Sequence, residues 1–295
     1  MVQVYQDSLP SVKAELTYVL PNNPGEKMYF YINPDHVPAG LTTTNTSNQP
    51  FEYAIQDIRG VEDRFGLSIS GFEVVRTPES VAKLGDGTES REEWKDDAWV
   101  QDVYYREVEQ LLIERLGAHR VHIFDHTIRR QDNSGTIPDT PSTRQPVQRV
   151  HVDQTPASAV ARVHRHLGAD AEELLTRRFA LINVWRPLRG PVLDAPLAVA
   201  DFRSVDAHKD LQPQELRRGP EEPSGETFAV LHNPNHQWYY LSNMRPDEAL
   251  LLKCHDSDHS DGKATFTPHT AFYDPRHAGK VPARESIEIR TLVFF

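Results

Sequence analysis

The chain has 295 residues and a formal net charge of −11, which disfavours nucleic acid or an anionic membrane surface as its main partner. Its single cysteine, Cys254, is too few for a disulfide framework or a thiolate metal cluster. The N-terminal stretch has no apolar leader segment, and no run approaches the ~18 apolar residues that a membrane span needs. We therefore expect a globular protein of the cytoplasm.

The first 120 residues are expected to form a region that supports a core. Short apolar runs at 2–5, 16–20 and 28–32 alternate with turn-forming stretches, which predicts extended chain and loops. From Lys95 to Leu116, apolar residues recur at three- and four-residue spacings. This spacing is typical of an amphipathic helix, for which Gly117 is a natural C-cap.

The rest of the chain is predicted to be mainly β. A strand at 121–126 is followed by a polar, proline-rich loop at 129–148, and helices are expected at 157–167 and 172–177. Further strands are predicted at 149–153, 179–185, 197–202, 228–231, 238–241, 249–254, 269–273 and 286–295.

These last eight strands match the count of a jelly roll. The predicted fold class is thus α+β, mainly β, with a double-stranded β-helix (jelly-roll) core and supporting helices. We expect a single domain over 1–295, with a supporting region at 1–120 and the core at 121–295. The polar segment 209–226 is interpreted as an insertion between strands.

The stretch RVHVD at 149–153 carries the first candidate site residues. His151 and Asp153 are two residues apart, so on a strand they share one face. An imidazole beside a carboxylate supplies two of the three ligands of a 2-His-1-carboxylate iron site. The pair alone occurs by chance in many proteins, and two polar side chains on a surface strand would explain it equally simply.

The third ligand is expected to be His269, which opens a run of apolar and aromatic residues after a tight turn. In a jelly roll the next-to-last strand can deliver such a ligand to the site. The competing histidines are His255, which precedes a turn, and the pair His232 and His236, which flank Asn-Pro-Asn and are explained by a turn.

Arg284 and Ser286 open the last predicted strand and share one face of it. The planar guanidinium of Arg284 suits a carboxylate, since it offers two parallel charge-assisted hydrogen bonds, and Ser286 can donate one more. The alternative is an ordinary ion pair of Arg284 with Glu285 or Glu288 on the strand surface. Arg290 lies on the same face as a second candidate.

Five motifs together resemble a known family of enzymes. They are RVHVDQTP at 149–156, NVWRPLRGPVLDAPLAVAD at 183–201, HQWYYLSNMRPDEALLLKCHDS at 236–257, FTPHTAFYDP at 266–275 and RESIEIR at 284–290. From about Phe51 to its end, the chain resembles the Fe(II)/2-oxoglutarate-dependent oxygenases of the isopenicillin N synthase-like superfamily. Within it, the chain is most similar to fungal and bacterial enzymes of secondary metabolism related to gibberellin desaturase and the cephamycin methoxylation protein.

The resemblance implies His151, Asp153 and His269 as iron ligands. It also implies Arg284 and Ser286 as the anchor for 2-oxoglutarate, whose keto-acid end would chelate the iron. The cofactors would be Fe(II), 2-oxoglutarate and O2. The spacing departs from the superfamily, because Asp153 and His269 are 269 − 153 = 116 residues apart, and the insertion at 209–226 is the expected cause.

The expected reaction is oxidation of a C–H bond of a small natural-product intermediate or amino acid derivative, by hydroxylation, desaturation or oxidative cyclisation, with release of succinate and CO2. Substrate-binding candidates are Arg149, Trp185 and Arg186. The long polar loops 129–148 and 209–226 are candidate lids. The enzyme is expected to act as a monomer or homodimer.

Two alternatives keep the jelly roll but change the function. One is a cupin-type iron enzyme that does not use 2-oxoglutarate and so has no need of Arg284. The other is a non-catalytic binding module. A methyltransferase is disfavoured, because no G-x-G-x-x-G-like loop follows a strand.

Overall fold

The computed structural model describes residues 9–77, 92–132, 143–219, 224–277 and 281–295, and the apolar run predicted at 2–5 lies outside these ranges. The strands within them are β1 Ser11–Val19, β2 Met28–Tyr31, β3 Asn48–Asp57, β4 Phe72–Arg76, β5 Arg120–Arg130, β6 His151–Val152, β7 Phe179–Pro187, β8 Leu197–Ala200, β9 Leu211–Arg217, β10 Gly225–Val230, β11 Trp238–Tyr240, β12 Glu248–Asp256, β13 His269–Ala271 and β14 Glu285–Phe294.

The helices are short and few by comparison. They are α1 Asp97–Trp99, α2 Tyr105–Leu116, α3 Pro156–Leu167, α4 Ala171–Leu174 and α5 Ala207–Asp210, with a π-helical turn at Val100–Tyr104 that joins α1 to α2. Gly117 caps α2 in the left-handed conformation, at φ 66°, as the sequence predicts. In the described ranges, no helix is both long enough and apolar enough to cross a membrane.

Two sheets form a jelly roll. The larger has nine strands in the order β1-β3-β11-β8-β13-β6-β10-β9-β2, and the smaller has five in the order β4-β12-β7-β14-β5. Both sheets combine strands from before and after residue 120, since β1, β2 and β3 join the larger sheet and β4 forms one edge of the smaller. Part of the apolar core lies between the sheets, where Trp185, Leu250 and Leu252 of the smaller sheet pack with Val199 and Tyr239 of the larger.

The five-stranded sheet has one face toward the helix α2 and one toward the larger sheet. Ile182 and Val184 of β7 pack with Val108 and Leu112 of α2 in one cluster on the outer face. The alternate positions of β7 and β14 point inward, because side chains alternate along a strand. The inner face is therefore where β7 and β14 can present polar groups to a cavity.

The segment 209–226, interpreted from the sequence as a polar insertion between strands, contains a strand of its own. Its residues 211–217 form β9, which pairs antiparallel with β10 and parallel with β2 inside the nine-stranded sheet. From His151 onward the described chain thus has nine strands rather than the predicted eight. The sequence also predicts a lid loop at 209–226, but residues 211–217 of it are strand β9 within the sheet. Residues 220–223 lie outside the described part. The loop predicted to start at residue 129 starts later, because β5 continues to Arg130.

Candidate metal centre

Two strands of the larger sheet bring His151, Asp153 and His269 together. His151 opens β6 and His269 opens β13, and these two residues are direct antiparallel partners. Their imidazole ring centroids are therefore only 4.4 Å apart. Asp153 follows β6 directly, and the possible ligand atoms of the three residues all lie within 4.8 Å of one another. This is the donor set of a 2-His-1-carboxylate site.

Backbone carbonyl groups orient both imidazoles. Nδ1 of His151 lies 2.7 Å from the carbonyl oxygen of Arg149, and Nδ1 of His269 lies 3.1 Å from that of Thr267. Since a carbonyl oxygen only accepts, each Nδ1 must carry the proton, which leaves Nε2 with its lone pair free to bind a metal. The Nε2 atoms of His151 and His269 lie 3.3 and 3.9 Å from Oδ1 of Asp153.

The two oxygens of Asp153 have separate partners. Oδ1 faces the imidazoles, while Oδ2 accepts a 2.5 Å hydrogen bond from Nδ2 of Asn183 in β7. Burial alone would raise the pKa of Asp153, but the close contact with His151 and the influence of His269 and Arg290 outweigh it and hold this pKa well below its usual value. Burial, followed by the charge of His151, lowers the pKa of His269. An ionised carboxylate and a neutral imidazole are the forms that bind a metal.

Arg284 reaches the same cavity from the opposite sheet, and Ser286 follows two residues later on the same face of the strand. The cavity beside the three donors is lined by Arg129, Val147, His151, Asp153, Trp185, Leu197, His269, Thr270, Ala271, Arg284 and Glu288. The guanidinium of Arg284 lies 5.4 Å from the centroid of the Trp185 ring and donates from Nη1 to the Ala195 carbonyl oxygen at 2.8 Å.

The remaining donors at this end of the cavity suit an anionic ligand. Nε of Arg284 and Oγ of Ser286 are buried and have no hydrogen-bond partner in the described structure. Burial, and then the nearby charge of Arg129, lowers the pKa of Arg284 to about 9. Leaving a buried charged donor unsatisfied is costly, so a carboxylate at this position would restore the missing interactions.

The alternative explanation of Arg284 as a surface ion pair does not match the structure. Glu285 pairs with Arg130 at 3.1 Å, and Glu288 is buried and pairs with Arg290 at 2.7 Å. Arg284 itself is 4% exposed. An anionic ligand would therefore stabilise this buried cation, which forms no ion pair among the described residues.

A row of polar side chains that the sequence reasoning did not single out supports the site. The pairing of β14 with β7 and β5 sets Asn183 beside Arg290 and Arg129 beside Ser286. The sequence offers Arg290 as a second candidate for the anchor. In the structure it donates to Asp125 at 3.0 Å and to Thr127 at 2.7 Å, so it belongs to this row of polar side chains. The polar residues Ser286, Glu288 and Arg290 alternate with apolar residues in RESIEIR, and this alternation predicts such a row on one face of the strand.

The substrate-binding candidates have different positions. Trp185 lines the cavity beside the three donors, here called the inner cavity. Arg149 lines a second, outer cavity of about 630 Å³, and both cavities are lined by His151 and Asp153. The expectation for Arg186 needs correction. It points to the outer face of β7, and its guanidinium lies 5.6 and 5.2 Å from the ring centroids of Trp94 and Tyr104. Adjacent residues of a strand face opposite sides, so Trp185 and Arg186 cannot both line the cavity.

The competing histidines lie away from the three donors. His232 stacks on Phe51 with centroids 3.7 Å apart. His236 is buried between Tyr18 and Asp210, at 2.9 and 3.0 Å. His255 is buried beside Phe179 and His259. Burial, followed by the charge of His259, lowers its pKa to about 4.

Comparison with known proteins identifies similar chains that are named as iron-dependent oxygenases. Residues 16–294 match the protein family described as "Oxidoreductase/YMDC permease-like domain". The hydroxylase/desaturase efuI of Hormonema carpetanum is 36% identical over 279 residues, which cover 88% of each chain. The Fe(II)/2-oxoglutarate-dependent dioxygenase nvfI of Aspergillus novofumigatus is 33% identical over 286 residues, which cover 96% of each chain.

A solved structure of the iron and alpha-ketoglutarate-dependent endoperoxidase NvfI superimposes on this chain with a TM-score of 0.84. Its sequence is 32% identical, and the match covers 98% of this chain and 99% of that one. This likeness confirms the prediction of a mainly β jelly roll.

Proposed function

This chain belongs to the Fe(II)/2-oxoglutarate-dependent oxygenases of secondary metabolism, and from that membership we propose that His151, Asp153 and His269 hold the iron. We further propose that Arg284 and Ser286 hold the far carboxylate of 2-oxoglutarate. The enzyme uses Fe(II), 2-oxoglutarate and O2 to oxidise a small molecule, with release of succinate and CO2.

One observation carries this assignment of residues. Three metal donors with free ligand atoms and a buried arginine with an unsatisfied Nε line one cavity from opposite sheets. A cupin-type enzyme without 2-oxoglutarate would have no use for the unpaired donors of Arg284 and Ser286. A binding module is disfavoured by the relatives, which are named as oxygenases.

Each residue of the proposed site has a role that follows from its position. His151 and His269 offer Nε2, while Asp153 offers Oδ1 and is held in place at Oδ2 by Asn183. When bound, the iron supplies the activation of O2 and the oxidation of the substrate, and the protein supplies binding, orientation and electrostatics. The ring of Trp185 and the neighbouring apolar side chains exclude water from the space between the donors and Arg284, which strengthens the ionic contact with the cosubstrate.

We infer C–H bond oxidation, by hydroxylation, desaturation or oxidative cyclisation, as the reaction class. The name hydroxylase/desaturase of the similar protein from Hormonema carpetanum supports it. We also propose a cytoplasmic enzyme that acts as a monomer or homodimer on a small molecule rather than on nucleic acid. The net charge of −11 argues against nucleic acid as a partner, and the single, buried Cys254 fits a reducing compartment.

The test is an anaerobic titration of the Fe(II)-loaded protein with 2-oxoglutarate, followed by the visible charge-transfer band of the chelate. We expect the band in the wild type and none in His269→Ala, which loses an iron ligand. Arg284→Ala should raise the Kd of 2-oxoglutarate by about 10- to 100-fold, because it removes charge-assisted hydrogen bonds worth about 1.5–3 kcal/mol.

The matched control is Arg177→Ala, which removes an exposed arginine paired with Glu173 and should leave the titration unchanged. Bound iron without a band in the wild type would contradict the assignment of 2-oxoglutarate to this cavity. Unchanged affinity in Arg284→Ala would contradict the anchor alone.

A further inference from the structure

The cavity of about 630 Å³ outside the metal centre is basic, in contrast to the acidic chain as a whole. Its volume lies in the range of small-molecule sites. Six arginines line it, namely Arg129, Arg144, Arg149, Arg162, Arg218 and Arg290. Its acidic residues in the described structure are Asp125 and Asp153. Asp125 pairs with Arg290 at 3.0 Å, and Asp153 faces the two histidines.

Three of these arginines come from separate elements of the fold. Arg149 lies in the segment before β6, Arg162 in the middle of α3, and Arg218 directly after β9. Their convergence on one cavity follows from the pairing of β10 with both β6 and β9. A solvated arginine on a helix face would not need this convergence, so the three are better explained by a shared ligand.

None of the three forms an ion pair with a carboxylate among the described residues, although the charge of Asp125 acts on Arg162. Nε of Arg149 and Nε of Arg218 are buried without a hydrogen-bond partner. The guanidinium of Arg149 lies 5.5 Å from the centroid of the Phe30 ring, and that of Arg162 lies 5.1 Å from the centroid of the Phe124 ring. Aromatic faces hold such cations in place but leave their hydrogen-bond donors free.

The arginines also repel one another. Burial, followed by the charges of Arg218 and Arg165, lowers the pKa of Arg162 to about 10. Like charges gathered in a partly buried cavity are unfavourable unless an anion joins them. The cavity also has an apolar portion, made by Phe30, Ile32 and Leu216.

We propose that this outer cavity binds the primary substrate by a carboxylate, which Arg149, Arg162 and Arg218 hold while an apolar body packs on Phe30, Ile32 and Leu216. The inference rests on the proposed function, because it takes the compound in the outer cavity to be the one oxidised at the iron. It adds a substrate class, which is an amphiphilic organic acid.

Isothermal titration of the anaerobic enzyme, loaded with Fe(II) and saturated with 2-oxoglutarate, tests the proposal. The probes are dehydroabietic acid and 1-naphthoic acid, each compared with its neutral methyl ester. We expect at least one acid to bind about tenfold or more tightly than its ester, since the ester loses the charge-assisted bonds. Arg162→Gln and Arg218→Gln should each weaken that acid by about tenfold, and Arg162→Lys should weaken it less.

The control Arg177→Gln makes the same change of charge far from the cavity and should leave acid binding as in the wild type. Equal affinity of acids and esters, absence of binding by both acids, or equal weakening by Arg177→Gln would each overturn the proposal. So would a second equivalent of 2-oxoglutarate that disappears in Arg162→Gln, because it would assign the cavity to the cosubstrate. The chelate band, read on the same samples, reports separately on the Arg284 site.

Discussion

Asn183 lies outside the proposed ligand set but is bonded to one of its members, Asp153. It lies on β7, in the sheet opposite the ligand strands, and its 2.5 Å hydrogen bond to Oδ2 leaves only Oδ1 of Asp153 facing His151 and His269. Hydrogen-bond partners of a metal ligand fix its orientation, and replacing one typically weakens metal affinity by about 10- to 100-fold. Asn183 thus joins the two sheets at the candidate site.

We predict that Asn183→Ala weakens iron binding by about 10- to 100-fold, because Asp153 loses the donor that orients it. Competition with a metal-chelating dye, under anaerobic conditions, measures this affinity. The control is Asn23→Ala, which removes an exposed amide that bonds to Glu26 at 3.3 Å and should not change the affinity. A folded Asn183→Ala protein with wild-type affinity would show that the hydrogen bond has no part in holding the metal.

Residue types and alternation identified many of the side chains that the structure brings to the cavity. The two-residue spacings of His151 with Asp153 and of Arg284 with Ser286 predict each pair on one face, and His151, Asp153 and Arg284 line the cavity. The same rule should have separated Trp185 from Arg186. Asn183 could not be found in this way, because its partner is on another sheet and only the three-dimensional pairing brings them together.

At the level of elements, Gly71 connects the start of β4 to the segment before β13. Its φ is +87°, a conformation that L side chains rarely adopt. A Cβ at this position would lie 2.5 Å from the carbonyl oxygen of Phe266 and would also meet Thr267. The carbonyl group of Thr267 in turn accepts the hydrogen bond from Nδ1 of His269, so a shift here would reach the metal centre.

Gly71→Ala is expected to lower the free energy of unfolding by about 2–4 kcal/mol, through positive-φ strain together with the clash. It should also weaken iron binding, since His269 would move. Gly60→Ala separates the two causes, because Gly60 has φ +89° but open space around its Cβ position. This control should cost about 1–2 kcal/mol and leave the iron affinity unchanged. Denaturant unfolding and the dye competition give both values, and equal effects of the two changes would refute the clash.

The elements that the sequence predicted well are those whose pattern is local. The helix ending at Leu116 and the buried strands β7 and β12 have strong periodicity or continuous apolar runs. β9 was missed because its sequence, LQPQELR, is polar and contains Pro213. Its pairing with β2 and β10 depends on residues far away in the chain, which local pattern cannot show.

At the scale of the whole molecule, a buried ionic cluster ties the ends of β7 and β12 to the loop before β13. Asp256, whose side chain is 1% exposed, accepts from Lys253 at 2.8 Å and from Arg178 at 2.8 and 3.1 Å. Lys253 also donates to the Ala264 carbonyl oxygen at 2.9 Å. Breaking such a buried pair leaves an uncompensated charge, which usually costs more than the pair itself contributes.

The cluster gives the stability of the protein a defined dependence on pH. Burial alone would raise the pKa of Asp256, but the hydrogen bond from Arg178 and the charge of Lys253 outweigh it, so the pKa is lowered. The pKa of an aspartate in the unfolded chain is about 3.9. Because the folded pKa is lower, Asp256 stabilises the fold fully above about pH 5, and this contribution is lost as the pH falls through the folded pKa. Burial lowers the pKa of Lys253 from the ordinary value of a lysine.

We therefore predict that Asp256→Asn lowers the free energy of unfolding by about 3 kcal/mol at pH 7, and that its difference from the wild type shrinks steadily between about pH 5 and pH 2. Urea unfolding across this range measures it, with a chelator present so that metal release from the histidines does not contribute. Glu52→Gln, which removes an exposed pair with Lys13 at 3.4 Å, should change the stability by less than about 1 kcal/mol at any pH. If the ionised carboxylate is the cause, the difference in the free energy of unfolding between Asp256→Asn and the wild type must follow the titration of Asp256. A difference that stays constant down to pH 2 would mean that the loss comes from packing around the new amide.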